Sequence, residues 1–264
     1  MSGPVLIFDT ETTDKDEGRE IIEAAWIRPA AIGDLAGPSD MIPRPFLAHP
    51  VEHFERRYQP KKPISFGAMA VHHILPSELE GCWPSEVFSL PEGVEYLIGH
   101  NITFDYEAIG KPPGIKLICT DAMARYIWQD ADSYSQSALL YMLLGATPET
   151  RQRLQGAHSA LTDVMNNMLL LEQILLASPV AVATWSELYH YSEQCRIPRV
   201  LPFGKHKGMP LDELVDYDPG YVDWCLRQDW LDEYLRKGLL LALNPPAAPA
   251  PEEAAEALDD DIPF

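Results

Sequence analysis

Val5-Leu6-Ile7-Phe8-Asp9-Thr10-Glu11-Thr12 is the stretch on which the reading of this chain turns. Its first four residues form a continuous apolar run, as expected of a central strand covered on both faces. Residues two apart in a strand point to the same side. Asp9 and Glu11 therefore leave the carboxyl end of that strand together and aim into one cleft. An Asp-x-Glu pair is common by chance, so its weight depends on what else the chain brings to it. Two further segments qualify: His100-Asn101-Ile102-Thr103-Phe104-Asp105 and His158-Ser159-Ala160-Leu161-Thr162-Asp163.

Working outward, Ile21 to Ile27 reads as a second strand, with Gly18 and the charged stretch Asp14 to Glu20 making the turn. Pro45 to Ala48 reads as a third strand. Tyr96 to Gly99, bounded by Pro91 and Gly93, reads as a fourth, and Lys116 to Cys119 as a fifth. Helical patterns cover Ser65 to His72, Thr120 to Trp128, Ser137 to Leu144 and Ser159 to Ala177. Adjacent strands followed by strand–helix alternation predict an α/β fold, a mixed sheet with helices on both faces. Ser178-Pro179 marks a boundary, giving a main domain over residues 1–180. A helix from Thr184 to Cys195 and a compact stretch to Leu243 predict a small second unit over 184–243. Residues 244–264 differ in kind: Pro245, Pro246, Pro249 and Pro251 among alanines and acids cannot build a core, so a disordered acidic tail is expected.

The composition bounds the function. A chain of 264 residues, 46% apolar and 23% charged, suits one α/β domain with a small appendage. No basic, apolar leader opens it, and the apolar stretch Met168 to Ala177 is interrupted by Glu172 and Gln173, so neither secretion nor a membrane span is expected. Four cysteines without a CxxC pair read as reduced thiols. The net charge of −20 argues against a general affinity for nucleic acid. Six of the 40 acids lie in the last 21 residues, yet the remainder is still acidic. Nucleic acid would have to be met by local patches: Arg56-Arg57 with Lys61-Lys62, Arg151 with Arg153, or Lys205-His206-Lys207. Each reads equally well as a solvated surface run.

Asp105 follows the fourth strand, at a strand end where ligand crevices of α/β sheets form. Asp163 falls near the start of a long helix. Several carboxylates buried at one site raise one another's pKa values unless cations neutralise them. An all-oxygen ligand set suits Mg²⁺ or Mn²⁺ and does not suit zinc. Two such ions, roughly 3.5–4 Å apart, clamp the attacking and leaving oxygens of a phosphoryl displacement. His158, whose side-chain type titrates near neutrality, could take the proton from an attacking water. Singly, Asp105 reads as a helix cap, His158 as a loop residue and Asp163 as a solvated acid. Jointly, and in this order, they read as a metal-dependent nuclease site.

In that order the three motifs resemble those of the DEDDh group of DnaQ-like 3′→5′ exonucleases. The resemblance implies a ribonuclease H-like fold with a five-stranded mixed sheet. It implies two Mg²⁺ per site, with Mn²⁺ able to substitute, held by Asp9, Glu11, Asp105 and Asp163. It also implies His158 as the catalytic base, and hydrolysis from a 3′ end releasing nucleoside 5′-monophosphates. Pro63 to Ile74, Cys119-Thr120 with Arg125 to Trp128, and Phe203 to Gly208 with Asp218 to Tyr221 and Trp224 resemble the exodeoxyribonuclease X branch of that family. That similarity runs over most of residues 4–240. Asp14 and the longer segment Pro29 to Pro60 depart from the family pattern. Thr10 and Thr12 fall where backbone groups of the family hold the terminal nucleotide. His72 and Phe104 could stack on bases, although core packing explains Phe104 equally well. Lys205 and Lys207, beside Tyr221, Trp224 and Trp230, could bind a single strand, with Trp224 expected in the core.

The last residues, Asp259-Asp260-Asp261-Ile262-Pro263-Phe264, resemble the acidic tip of bacterial single-stranded DNA-binding proteins. A terminal Phe264 offers a ring and a carboxylate at one point, which an apolar pocket with an arginine at its lip can take. An ordinary solubilising acidic tail is the plainer alternative. The expected protein is a cytoplasmic 3′→5′ exodeoxyribonuclease of a bacterium or of a virus acting inside one. It would act on DNA 3′ ends, single-stranded by expectation, and dock through its tip to proteins that read such tips. Two rivals stay open, a 3′→5′ exoribonuclease and an adaptor or decoy that occupies tip-binding factors.

Overall fold

Six strands form one sheet: β1 (Val5–Thr12), β2 (Ile21–Arg28), β3 (Glu52–Gln59), β4 (Trp83–Pro84), β5 (Tyr96–Gly99) and β6 (Lys116–Cys119). Their order is β4-β3-β2-β1-β5-β6. The β1–β2 and β2–β3 pairs are antiparallel, and β1–β5, β5–β6 and β3–β4 are parallel. This computed structural model describes residues 4–29, 32, 52–155 and 158–245, and all structural statements concern those residues. The chain divides into two units, Met1–Arg196 and Ile197–Phe264.

The apolar run of β1 is buried on both sides, as its sequence requires. Leu6 and Phe8 enter a core with Trp26, Tyr58, Leu97 and Ile102. Val5 and Ile7 enter another with Ile98, Val164 and Leu170. Strand alternation carries Asp9 and Glu11 onward along the Val5–Ile7 side. That side is covered by α3 (Thr120–Ile127), α4 (Gln136–Leu144), α6 (Ala160–Ala177) and α7 (Trp185–Cys195). The opposite side is covered by α2 (Thr103–Ala108) and by Phe88, Leu90 and Val94. Gly99 ends β5 where a Cβ would stand 2.5 Å from Ile102 Cδ1 and 3.1 Å from the Phe8 carbonyl oxygen, so a larger residue would displace Ile102.

Two expectations are corrected, and a third falls outside the described residues. The sheet has six strands where five were expected, because the two-residue β4 extends it beyond β3. The strand expected at Pro45 to Ala48 lies outside the described residues, and the third strand described is Glu52–Gln59. β3 escaped notice because its residues are mostly charged and exposed, with Phe54 and Tyr58 alone reaching a core. The domain boundary falls after Arg196 and not near Ser178-Pro179, since Leu188, Tyr191 and Cys195 of α7 belong to the core beneath β1.

The remaining helices of the first unit are α1 (Phe66–His72) and α5 (Pro148–Leu154). The second unit packs α8 (Leu211–Tyr217), α9 (Pro219–Leu226) and α10 (Glu233–Leu243) around Leu201, Leu214, Val222, Leu235 and Leu239. Cys82, Cys119, Cys195 and Cys225 are free thiols. Among the described residues no helix is long and apolar enough to cross a membrane.

Candidate active site

Asp9 and Glu11 reach the cleft from β1, and Asp163 reaches it from the first turn of α6. One carboxylate oxygen from each of the three lies within 4.8 Å of the others. Asp105, in the first turn of α2, is 3% exposed and electrostatically linked to Asp9. Its Oδ1 accepts the Thr10 N–H at 2.9 Å and the Thr10 hydroxyl at 2.7 Å. Thr10, expected to face a substrate, is thus engaged in fixing an acid. The Thr12 hydroxyl likewise donates to the Asp14 carbonyl at 2.7 Å.

These carboxylates share one electrostatic condition. Burial, then the charges of Asp105, Asp163, Glu11 and Glu23, hold Asp9 well above the ordinary aspartate range. Burial first, then Asp163, Glu23 and Asp105, pushes Glu11 up to about 9. Burial raises Asp105 to about 7 against the hydrogen bonds from Thr10. Asp163 is also raised by burial, against the N–H of His158. Without a counter-charge several of these acids retain protons near neutrality, so the cluster is suited to a divalent cation. Its donors are all oxygen, the set that hard cations prefer.

His158 is exposed and adopts a left-handed backbone at φ 69°. Its N–H donates to Asp163 Oδ2 at 3.0 Å, so histidine and acid are tied through the backbone. His72 is buried, and its Nδ1 accepts the Ile74 N–H at 2.9 Å, which leaves the ring proton on Nε2. That Nε2 has no hydrogen-bond partner among the described residues. Burial lowers the His72 pKa, so the ring is neutral and serves as a donor. Phe104 carries the Arg19 guanidinium 4.0 Å from its ring centre. A cavity of about 310 Å³ beside the acids is lined by Thr10, Glu11, Thr12, Ser65, His72 and Phe104.

Glu23 was missed by sequence reasoning. It sits opposite Glu11 in the β1–β2 register and is 2% exposed. Its Oε2 accepts the Ala160 N–H at 2.9 Å, at the start of the helix that carries Asp163. Its Oε1 accepts the Arg57 Nε–H at 2.9 Å, and Arg57 also pairs with Glu78 at 2.9 Å. Ser159, the N-cap of α6, makes no side-chain cap, so Glu23 takes that part from another strand. The visible signal was a lone acid inside Ile21-Ile22-Glu23-Ala24-Ala25.

Two of the basic patches are compensated in part from within. Arg57 is committed to Glu23 and Glu78, and Lys61 pairs with Glu86. In the second unit Lys205 pairs with Asp218 at 2.7 Å, while Lys207 is exposed. Asp259 to Phe264 lie outside the described residues.

A central strand thus delivers two acids against a helix-borne third. The sequence comparisons point to exonucleases. Residues 201–229 match the exodeoxyribonuclease X-like C-terminal family. Exodeoxyribonuclease 10 of Escherichia coli K12 is 29% identical over 179 residues, covering 67% of this chain and 77% of its own. The same protein of E. coli O6:H1 gives the same figures. Among solved structures, exonuclease X in complex with 5′-overhanging duplex DNA aligns with a TM-score of 0.49 at 26% identity, covering 70% of this chain and 99% of that one. A 3′-exonuclease that recognises the histone mRNA stem-loop aligns at 0.45 with 13% identity, covering 66% and 82%. Its sequence relatives support a 3′→5′ exonuclease, and the chain is similar to exodeoxyribonuclease X.

Proposed function

We propose that the chain is a metal-dependent 3′→5′ exodeoxyribonuclease in which Asp9, Glu11, Asp105 and Asp163 hold two Mg²⁺ ions, replaceable by Mn²⁺, and His158 is the general base. The observation that supports this most is the convergence of Asp9, Glu11 and Asp163 oxygens within 4.8 Å, on carboxylates whose proton affinities are all raised. When bound, the cation pair supplies charge stabilisation for the attacking and leaving oxygens of the phosphodiester. The chain's own residues do the rest. Asp163, held by the His158 N–H, keeps the imidazole at the rim of the acid cluster. From there His158 takes a proton from water as its oxygen bonds to phosphorus, and can pass that proton to solvent because it is exposed. The bond from phosphorus to O3′ breaks, the departing 3′ oxygen takes up a proton, and a nucleoside 5′-monophosphate is released. The terminal nucleotide would occupy the cavity beside Phe104, which Thr10, Thr12, Ser65 and His72 also line.

The docking peptide is part of this proposal and rests on the resemblance of Asp259 to Phe264 to a single-stranded DNA-binding protein tip. Deleting Phe264 should abolish binding to proteins that read such tips and leave hydrolysis of free oligonucleotides unchanged. Loss of hydrolysis on that deletion would mean the tail serves the active site instead. The main reading is tested with a single-stranded oligodeoxynucleotide labelled at its 5′ end, incubated with Mg²⁺ in parallel with its ribo counterpart. A stepwise series of shortened labelled products from the DNA, absent with chelator, is expected. Immediate release of a labelled mononucleotide would reverse the polarity, and preferential shortening of the RNA would make the chain an exoribonuclease.

A further inference from the structure

Six rings of the second unit touch in an unbroken series: Tyr217, His206, Tyr221, Trp224, Trp230 and Phe203. Successive ring centres are 5.6, 5.1, 5.5, 6.0 and 5.3 Å apart. Phe203 and Tyr221 pack partly buried against the core of this unit, which is built from Leu201, Leu211, Leu214, Val222, Leu235 and Leu239, and the other rings are not among its members. Tyr217 is 71% exposed, Trp230 59% and Trp224 45%, so the expectation that Trp224 is a core residue is corrected. Large aromatics left open together on so small a unit mark an interaction surface.

The local structure holds these rings in place. Asp218 caps α9 by accepting the Tyr221 N–H at 3.0 Å, and its other oxygen receives Lys205 Nζ at 2.7 Å and His206 Nε2 at 3.0 Å. Gly204, at φ 72°, lies so close to Tyr221 that a Cβ would stand 2.2 Å from its hydroxyl. The loop Gly204–Gly208 is therefore seated on the middle of the ring series. Lys205 Nζ lies 5.0 Å from the Tyr221 ring centre. Of the basic side chains near the rings in sequence, Lys205 pairs with Asp218 and Arg227 with Asp223, while Lys207 is exposed.

We propose that this ring series is a second nucleic-acid site, which holds a single strand by stacking its bases on Tyr217, Trp224 and Trp230. The choice of ligand rests on the exonuclease reading, and the site itself rests on the rings. Aromatic platforms accept any base, because every base has a π-face. Lys207 can meet about one phosphate, since Asp218 already engages Lys205. Binding is thus carried by bases and only weakly by phosphates. The logarithm of the binding constant should fall with the logarithm of salt at a slope of about −0.7, the value for one phosphate contact on a single strand.

The test uses the full chain with chelator, to stop hydrolysis, and a fluorescent circular single-stranded oligodeoxynucleotide, which offers no 3′ end to the acid cluster. Replacing one stacking ring should weaken binding about 5- to 100-fold. We expect that loss in Trp230→Ala and in Tyr217→Ala, two exposed positions where truncation leaves the fold intact, and a larger loss in the Trp224→Ala/Trp230→Ala pair. In parallel, each variant is given Mn²⁺ and the p-nitrophenyl ester of thymidine 5′-monophosphate, a substrate too small to reach a second site. Unchanged ester hydrolysis beside weakened circle binding supports the proposal. Unchanged circle binding in Tyr217→Ala and Trp230→Ala overturns it, as does a slope steeper than about −3, which would mean phosphate-led binding elsewhere. Quenching of tryptophan fluorescence by a proline-rich peptide, with none by the circle, overturns it in favour of a peptide site. An unmodified chain that binds the circle but leaves the ester intact would sink the exonuclease reading and not this one.

Discussion

Asp9 and Glu11 leave a central strand packed on both faces, whereas His158 stands on an exposed turn with a left-handed backbone at φ 69°. The acids are positioned by the sheet itself, at burial severe enough to keep protons on them. The histidine is positioned by a local device, its own N–H donated to Asp163. On the proposed mechanism the contrast separates two tasks. Charge concentration needs a rigid, dry scaffold, and proton transfer needs access to water and some freedom of the ring. A site divided in this way should respond to mutation in two distinguishable patterns, one for each half.

The largest effect is expected at the acid end. Asp9→Ala should remove detectable turnover and weaken Mn²⁺ binding measured by calorimetry. Its melting temperature in chelator should not fall, because the substitution removes a carboxylate that is repelled by four neighbours. A large loss of metal-free stability would mean that Asp9 serves the fold and would break the contrast. Next comes His158→Ala, which should lower kcat by about 10²–10⁴-fold, the usual worth of a general base. Here Mn²⁺ affinity should stay near that of the unaltered chain. If affinity falls as it does at Asp9, the histidine belongs with the ligands and the division into two halves is wrong.

Glu23 offers a sharper probe, since it joins the halves by linking the strand sheet to the start of α6. Groups that orient metal ligands typically contribute about 10–100-fold in affinity or activity. Glu23→Ala should cost about that much, with a lower melting temperature. Arg57→Met should be more damaging to stability than its exposed position suggests, because it leaves a buried carboxylate without its partner. The pair Glu23→Gln/Arg57→Met should recover stability relative to Arg57→Met alone. Additive losses in that double variant would show that the ion pair does not hold the helix.

The sequence revealed the halves unequally, for physical reasons. A strand buried on both faces has no choice but a continuous apolar run, so Val5 to Phe8 declares β1 and with it the direction of Asp9 and Glu11. β3 has one face against a core and a charged remainder, so Phe54 and Tyr58 are diluted among Glu52, Glu55, Arg56 and Arg57. Glu23 hides for the opposite reason, as a polar residue in an apolar strand whose partners lie 34 and 137 positions away. The alliance of Thr10 with Asp105 spans 95 positions and leaves no local pattern either. Trp224 was expected inside because large aromatics usually are; the unit fills its core with aliphatics and leaves Trp224 outside. Motif spacing finds which residues carry charge, and only the packed chain reveals what holds them.

The smallest effect concerns pH in the absence of metal, and its sign follows from the acid end alone. Glu11 is raised from 4.5 to about 9 and Asp105 from 3.8 to about 7, so the folded chain holds protons that the unfolded chain has released. Stability from such groups is fully present below the unfolded values and is lost as pH rises through the folded ones. The melting temperature in chelator should therefore decline by a few degrees between about pH 5 and pH 9. Saturating Mg²⁺ should flatten the decline, because bound cations replace those protons and bind more tightly as pH rises. Glu11→Gln should reduce the metal-free slope. A melting temperature that climbs with pH in chelator would mean that the carboxylates are already ionised and solvated, and the cleft would then lack the dry concentration of charge that sets it apart from the histidine turn.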